Sequence, residues 1–217
     1  MGFEWRVFLR DPQLEPLEAV REDIYYPADS NIGVKLRNGK GALEIKTCRQ
    51  RDERSKVEEW DKEYLDAQKY VSRDGGAVDV RALAETLRTS ASRFTGFPPV
   101  IVRKERQKFD GGEMVKVHLR TTQPSGRVLE ESYRSVSLES KNQSELSARI
   151  DRGGDLKRDV IEWFQAAHSR PAARSGNEDW HEGGIIMGYP ELVASFAARS
   201  VEPSSEGKPV GEAGRGC

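Results

Sequence analysis

Charged residues occupy every second position in two short segments of the chain, "VKLR" and "LEIK". Lys35 and Arg37 share one face of the first segment, and Glu44 and Lys46 share one face of the second. The aliphatic residues between them take the opposite faces, an alternation that is typical of half-buried β-strands. Arg and Lys side chains that meet on one face of a sheet can donate charge-assisted hydrogen bonds to an anion such as a phosphate chain.

The same alternation in other segments extends this set of charged residues. Taken by strand position, the candidate inward-facing set contains the basic residues Arg6, Lys35, Arg37, Lys46, Lys104, Arg106, Lys116 and Arg120, with His118 between the last two, and the acidic residues Glu4, Glu44 and Glu139. Cations from separate strands converge at low cost only where water or an anion compensates their charge. A sheet can also turn such a face to bulk water, and the pattern alone leaves both arrangements open.

Composition narrows the class of protein before any motif is considered. The chain has 217 residues, of which 36% are hydrophobic and 33% charged, and a net charge of −1. Such a chain can bury a sizeable core, and its charge balance gives no general attraction to nucleic acid or to membranes. With two cysteines, no apolar run of membrane-spanning length and no signal-peptide pattern, the sequence predicts a soluble, intracellular protein of the cytoplasm. It leaves the oligomeric state open.

The secondary structure predicted from periodicity is rich in strands. Besides the two segments above, strands are expected in "FEWRVFLR", "REDIYYP", "VIVRKERQKF", "EMVKVHLR" and "SYRSVSLES", with a hairpin turn at residues 110–112. Helices are expected in "DVRALAETLRTS", where Asp79 is the N-cap, and in "NQSELSARI", "DLKRDVIEWFQAAH" and "YPELVASFAARS". The segment "VEEWDKEYLDAQKYV" fits either a helix or a strand.

These elements predict an α+β fold. The expected architecture is a mostly antiparallel sheet that closes into a barrel or tunnel with a polar interior, with helices packed outside. We expect a single domain at residues 1–200, which includes the C-terminal helices. Residues 202–217 contain one large hydrophobe, Val210, and are expected to form a disordered tail.

The order of these strands and their charged residues resembles the CYTH superfamily, the triphosphate tunnel enzymes. Members carry an N-terminal strand motif Glu-x-Glu-x-Lys, and "GFEWRVFL" resembles it with Glu4 as the second glutamate and Arg6 in place of the lysine. The segments "VKLR", "LEIK", "KERQKF" and "VSLES" resemble, in order, the paired basic strand, the strand with the essential lysine, the later Lys-x-Arg strand and the late acidic strand. The resemblance covers roughly residues 1–165.

The resemblance implies a site in which basic residues clamp phosphates. These residues are Arg6, Lys35, Arg37, Lys46, Lys104 and Arg106, and among them Arg37 and Lys46 are the candidate catalytic residues. It also implies a divalent metal, Mg²⁺ or Mn²⁺, held by Glu4, Glu44 and Glu139. The expected ligand is a phosphorylated small molecule or polyphosphate, and neither nucleic acid nor a membrane is an expected partner.

One departure from the family pattern separates two possible functions. Gly2 stands where the motif has its first glutamate, so one expected metal-binding carboxylate is missing. The first function is a metal-dependent phosphohydrolase that acts on a triphosphate. The second is a non-catalytic binding or scaffold module of the same fold, in which the anion site is retained and the metal site is degenerate. The missing carboxylate favours binding over catalysis.

Overall fold

Strands with alternating faces dominate the computed structural model, which describes residues 2–14, 21–37, 41–72, 77–151, 158–165 and 184–201. The strands in these residues are β1 (Gly2–Arg10), β2 (Arg21–Tyr26), β3 (Ile32–Arg37), β4 (Ala42–Arg51), β5 (Glu58–Asp66), β6 (Val100–Phe109), β7 (Gly112–Thr122), β8 (Val128–Ser140) and β9 (Ile185–Ile186). The α-helices are α1 (Val80–Thr86), α2 (Gln143–Asp151), α3 (Arg158–Gln165) and α4 (Tyr189–Ser200). The predicted tail at residues 202–217 lies outside the described residues, and a single domain at residues 1–200 stays a prediction.

Strands β1 to β8 close into an antiparallel barrel. They are hydrogen-bonded in the order β5-β4-β3-β2-β6-β7-β8-β1, and a further pairing of β1 with β5 completes the ring. In that last pairing Gly2 lies opposite Trp60. Strand β9 pairs with Val7 and Phe8, further along β1 than the pairing with β5. The predicted α+β fold with a closed, antiparallel sheet is therefore confirmed.

Local sequence signals explain several element boundaries. Asp79 caps α1, because its carboxylate accepts a hydrogen bond from the backbone N–H of Ala82 at 2.9 Å. The hairpin between β6 and β7 turns at Gly111, whose φ of 72° lies in the left-handed region that glycine adopts without strain. The ambiguous segment after Val57 forms strand β5 rather than a helix. Within the described part of the chain, every helix is too short or too polar to span a lipid bilayer.

Apolar clusters cover the outside of the barrel. Trp5 and Val7 of β1 pack with Leu146 of α2 and Phe164 of α3. On another side of the barrel, Leu83 of α1 packs against aliphatic residues of β3 and β4. Because successive residues of a strand face opposite sides of the sheet, the residues that alternate with these clusters point into the barrel. Three helices therefore lie outside the barrel, where the sequence predicted them.

The inward-facing side chains divide the barrel interior into an apolar end and a charged end. At the apolar end, α4 packs inside the barrel in a cluster of buried residues: Phe8, Tyr25, Val100, Val102, Val115, Val117, Leu119, Tyr133, Tyr189, Leu192, Val193, Phe196 and Ala197. Gly33 lets the start of α4 enter, because a Cβ atom at this position would lie 2.8 Å from Cγ of Pro190. Helix α4 therefore fills one end of the interior and leaves space at the other.

Candidate functional site

The charged end of the barrel contains two connected cavities. The inner cavity has a volume of about 190 Å³ and the outer cavity a volume of about 420 Å³. Glu4, Lys46, Lys62 and Glu139 line both, so the inner cavity opens into the outer one. The outer cavity also reaches Gly2, where an added Cβ atom would lie 4.0 Å from its nearest neighbour. The position of the missing motif glutamate therefore has room for a side chain.

Basic side chains outnumber acidic ones in the inner cavity. The basic residues come from five strands and are Arg6, Lys35, Arg37, Lys46, Lys62, Lys104, Arg106 and Lys108. The acidic residues are Glu4, Glu44, Glu113 and Glu139. The structure thus brings together in one cavity all six residues predicted to bind phosphate and all three predicted to bind a metal. Their roles in binding and catalysis stay predictions.

Arg6 of β1 is buried at the inner end of this cavity. Its guanidinium donates hydrogen bonds from Nε to Glu4 at 2.8 Å and from Nη2 to Glu113 at 2.8 Å. A third, longer hydrogen bond of 3.2 Å runs from Nη1 to Oγ of Ser135 on β8. Since a guanidinium carries five N–H groups, these contacts leave donors that a ligand could use.

Strands β3 and β4 supply a second charged group. Lys35 lies opposite Glu44 in the strand pairing, with Nζ 2.7 Å from Oε1, and Nη2 of Arg37 lies 2.5 Å from Oε2. Burial alone would raise the pKa of the Glu44 carboxyl, but Lys35 and Arg37 hold it below its ordinary value. Burial lowers the pKa of Lys35 to about 8, although Glu44 opposes this shift. Nε of Arg37 is buried and has no hydrogen-bond partner among the described residues.

Lys104 of β6 is the most deeply buried lysine of the cavity. Its Nζ donates a hydrogen bond to Oη of Tyr25 at 2.9 Å and lies 3.7 Å from the carboxylate of Asp23. Burial lowers the pKa of Lys104 far below its ordinary value, and the positive charges of Lys35 and Arg106 lower it further. Asp23 opposes these effects without cancelling them. The ammonium form of Lys104 is therefore disfavoured in the free protein, and an anion in the cavity would favour it.

Lys46 and Glu4 lie where the inner and outer cavities meet. Nζ of Lys46 donates a hydrogen bond to Oε2 of Glu4 at 2.9 Å. Burial alone would raise the pKa of the Glu4 carboxyl, but Lys46 and Arg6 hold it far below its ordinary value. Glu4 is therefore a carboxylate at any pH near neutrality, and it is already shared between two cations.

The mouth of the inner cavity is basic and more exposed. Arg106 lies 3.6 Å from the carboxylate of Glu113. Lys62 and Lys108 also line the mouth, and the part of the chain that the structure describes offers neither of them an ion-pair partner. Glu139, which is exposed, lies opposite Glu4 in the pairing of β8 with β1. Free cations at an entrance attract an approaching anion before it reaches the buried groups.

The predicted metal ligands do not form a metal-binding group in this geometry. Glu4 and Glu44 are each paired with two cations, and Glu139 is exposed at the mouth. No three His, Cys, Asp or Glu side chains of the described residues lie close enough together to hold a metal ion. This donor set does not fit a divalent ion, so no chemical step is assigned to one.

Strand β7 corrects one prediction, because it turns its basic residues outward. Val115 and Val117 belong to the apolar cluster inside the barrel, so Lys116 lies on the outer face, 3.5 Å from Glu105. Arg120 and His118 lie on the same outer face, and Nε of Arg120 is 3.4 Å from Glu130. These three residues were wrongly included in the inward-facing set.

Other residues of the cavity were missed by the sequence interpretation. Lys62 and Lys108 continue the alternation of β5 and β6, so the strand period could have included them. Glu113 is the second residue of β7, directly after the glycine turn. Tyr189 is the first residue of α4, and nothing in the sequence indicates that this helix enters the barrel.

Comparison with known proteins adds structural neighbours of low similarity. No protein-family profile and no curated protein matches the chain. A candidate adenylate cyclase from Bacillus halodurans matches 71% of this chain and 79% of its own, with 10% identity and a TM-score of 0.36. The protein PH1012 from Pyrococcus horikoshii matches 74% of this chain and 93% of its own, with 14% identity and a TM-score of 0.37.

A third solved structure has a title that names an activity. It is a candidate adenylyl cyclase from Hippeastrum, described as having a dominant triphosphatase activity. It matches 79% of this chain and 98% of its own, with 11% identity and a TM-score of 0.35. At these values the three likenesses carry no argument about this chain. The closed barrel that the resemblance to the CYTH superfamily implies is confirmed by the structure of the chain itself.

Proposed function

We propose that this protein binds a short phosphate chain, as a triphosphate or a related phosphorylated anion, in the charged end of its barrel. The observation that carries the proposal is the inner cavity itself, in which eight basic side chains from five strands surround one space with four glutamates. Eight cations around one space repel one another, and this repulsion is costly in the absence of a compensating anion. A phosphate chain compensates several cations at once through charge-assisted hydrogen bonds.

The hydrogen-bonding state of the cavity supports this proposal. Nε of Arg37 is a buried donor without a partner among the described residues. The three hydrogen bonds of Arg6 leave other N–H groups of its guanidinium available to a ligand. The pKa of Lys104 is lowered by burial and then by other cations of the cavity, which a bound anion would reverse. A single bound anion would accept hydrogen bonds from Arg37 and Arg6 and would stabilise the charged form of Lys104.

Hydrolysis of the bound phosphate chain is the second candidate function. It is favoured by the position of Glu4 and Glu139, two carboxylates that line the same cavity as Lys46 and Arg37. Mg²⁺ or Mn²⁺ would supply charge stabilisation and orient a water molecule in such a reaction. The donor set of this structure does not fit either ion, so binding is the function that the geometry supports best.

Calorimetric titration with inorganic triphosphate, in the presence of EDTA, tests the proposed binding. Replacing Arg37 by Ala removes a cation and a free donor from the cavity and is expected to weaken binding by at least about tenfold. Arg103→Ala is the matched control, because Arg103 lies next to Lys104 on β6 but is exposed on the outer face, where it pairs with Glu22. The control is expected to bind as the unchanged protein does.

Two results would contradict the proposal. One is the absence of any triphosphate binding by the unchanged protein at low salt, where exposed charges are least screened. The other is an equal loss of affinity in Arg37→Ala and Arg103→Ala, which would indicate a nonspecific charge effect. Phosphate release after addition of Mg²⁺ or Mn²⁺, measured against the Arg37→Ala variant, decides between binding alone and hydrolysis.

A further inference from the structure

Tyr189 lies at the boundary between the two ends of the barrel interior. It is the first residue of α4, and its side chain belongs to the apolar cluster and also lines the inner cavity. The residue is only 7% exposed. Its hydroxyl oxygen is buried and has no hydrogen-bond partner among the described residues. A buried hydroxyl without a partner costs free energy, so its presence here calls for an acceptor that the free protein does not supply.

The ring of Tyr189 is held in place by its neighbours. The guanidinium of Arg6 lies 4.6 Å from the ring centroid, and Nζ of Lys104 lies 3.7 Å from it. The ring of Phe8 meets it edge to face at a centroid distance of 5.1 Å. These contacts hold the ring next to Arg6 and Lys104, at the lining of the inner cavity.

The hydroxyl of Tyr189 stays a donor over the physiological pH range. Burial, with a smaller contribution from the Glu113 and Glu4 carboxylates, raises its pKa to about 12 against the opposing effects of Arg6 and Arg106. A protonated phenol that faces cations and has no acceptor can donate a hydrogen bond only to an incoming group.

Helix α4 also closes one end of the cavity. The helix runs for 12 residues from Tyr189 to Ser200, and its N-cap, Gly188, makes no side-chain capping hydrogen bond. A helix N-terminus carries a partial positive charge that favours an anion, although in α4 Pro190 has no N–H group and Glu191 lies in the first turn. Behind Tyr189, Phe196 and the rest of the apolar cluster fill the barrel, so a ligand cannot pass through this end.

We propose that the Tyr189 hydroxyl donates a hydrogen bond to a terminal phosphoryl group, and that the cavity therefore takes the end of a phosphate chain and excludes its middle. This inference rests on the proposed function and specifies its ligand. Arg6 and Lys104, which both lie next to the Tyr189 ring, contact the same terminal group. The remaining phosphates lie toward Lys46 and the mouth.

Replacing Tyr189 by Phe removes one oxygen atom and keeps the ring that contacts Arg6 and Lys104. We expect the affinity for inorganic triphosphate, measured by calorimetry, to fall by about tenfold, as for the loss of a hydrogen bond to a charged acceptor. We expect the melting temperature of the free variant to be equal to or above that of the unchanged protein, because the lost hydroxyl had no partner. A purely structural role of the hydroxyl would lower the melting temperature instead.

Tyr133→Phe is the matched control. Tyr133 lies in the same apolar cluster, but its hydroxyl donates a hydrogen bond to Glu131 and does not line the cavity. This variant is expected to melt at a lower temperature and to bind triphosphate unchanged. Unaltered triphosphate affinity in Tyr189→Phe would overturn the inference while leaving the proposed function intact. Absence of triphosphate binding in the unchanged protein would overturn both.

Long-chain inorganic polyphosphate tests the closed end separately. Because only chain ends can enter, at most two protein molecules are expected to bind each chain, one at each end, however long the chain is. An open passage would let many molecules bind along one chain. Light scattering at saturating protein measures this ratio, and a ratio that grows with chain length would overturn the inference.

Discussion

The two ends of the barrel interior are built on the same strands and the same faces, yet they differ completely in chemistry. On β1, Arg6 lines the charged cavity and Phe8, two positions further on, lies in the apolar cluster. On β6, Lys104 lines the charged cavity and Val102, two positions away, lies in the apolar cluster. Since side chains of one face recur every second residue, a single step along each strand separates the two ends.

This difference indicates how stability and binding are divided. The apolar end buries aliphatic and aromatic side chains of α4 and the strands, which stabilises the fold by removing them from water. The charged end buries Lys104, and the cost of removing its ammonium group from water is offset by Asp23 only in part. The barrel tolerates the cost of the charged end because the apolar end and the outer apolar clusters stabilise the fold.

The largest expected effect comes from emptying the apolar end. Phe196 of α4 is fully buried, and Phe196→Ala is expected to lower the free energy of unfolding by about 3–5 kcal/mol, through lost burial and the cavity that remains. Urea unfolding measures the change. The affinity for triphosphate is expected to change little, because Phe196 does not line the cavity.

A control for this variant lies on the surface of the same barrel. Val128 at the start of β8 is 41% exposed, and Val128→Ala is expected to change the free energy of unfolding by less than about 0.5 kcal/mol. A loss of less than about 1 kcal/mol in Phe196→Ala would show that α4 contributes little to stability. The division between the two ends would then be wrong.

An intermediate effect, with opposite signs for stability and binding, is expected at the charged end. Glu4→Gln removes the carboxylate that pairs with Arg6 and Lys46, and is expected to lower the free energy of unfolding by about 2 kcal/mol. The same change leaves more uncompensated positive charge, so triphosphate in EDTA is expected to bind about five- to tenfold more tightly. Urea unfolding and calorimetric titration measure the two changes.

The opposite signs make this prediction specific to the charged end. If stability and affinity fall together in Glu4→Gln, Glu4 serves to position the basic residues rather than to neutralise them. Glu105→Gln is a suitable control, because Glu105 pairs with Lys116 on the outer face. That variant is expected to change neither the free energy of unfolding nor the affinity for triphosphate by a measurable amount.

The charged end could be predicted from the sequence because a strand has a period of two residues. Lys35 and Arg37 necessarily share a face, and so do Lys104 and Arg106, wherever the sheet lies. Closure of the sheet then made the faces of separate strands meet in one cavity. That closure was predicted from the recurrence of charged faces and from the family resemblance. Both depend on the order of the strands and of their charged residues along the chain.

The apolar end could not be predicted, because the sequence pattern of an apolar strand face is the same whether that face lies inside or outside a barrel. On β7 the aliphatic residues Val115 and Val117 face α4 within the barrel, so the charged residues between them point outward. The candidate inward-facing set nevertheless included the charged residues of this strand, Lys116, His118 and Arg120. Helix α4 shows the same ambiguity, since the apolar residues that enter the barrel would equally suit a helix packed on its surface.

The last expected effect, which is small near neutral pH and grows above pH 8, is a pH dependence of binding at the charged end that comes from Lys35. Burial lowers the pKa of Lys35 to about 8 in the free protein, and a bound anion favours the ammonium form and raises this pKa again. Below pH 8 the amine is charged with or without ligand. Above it, binding must take up a proton, so the affinity for triphosphate is expected to fall by up to about tenfold per pH unit.

Calorimetry in buffers of different ionisation enthalpy, between about pH 7 and about pH 9.5, measures both the affinity and the proton uptake. Linear triphosphate becomes more negative as the pH rises, which would strengthen binding, so a fall in affinity must come from the protein. Lys35→Arg keeps a positive charge that does not titrate in this range, and it is expected to flatten the fall. An unchanged pH profile in Lys35→Arg would assign the proton to another group, and the even more deeply buried Lys104 would be the next to test.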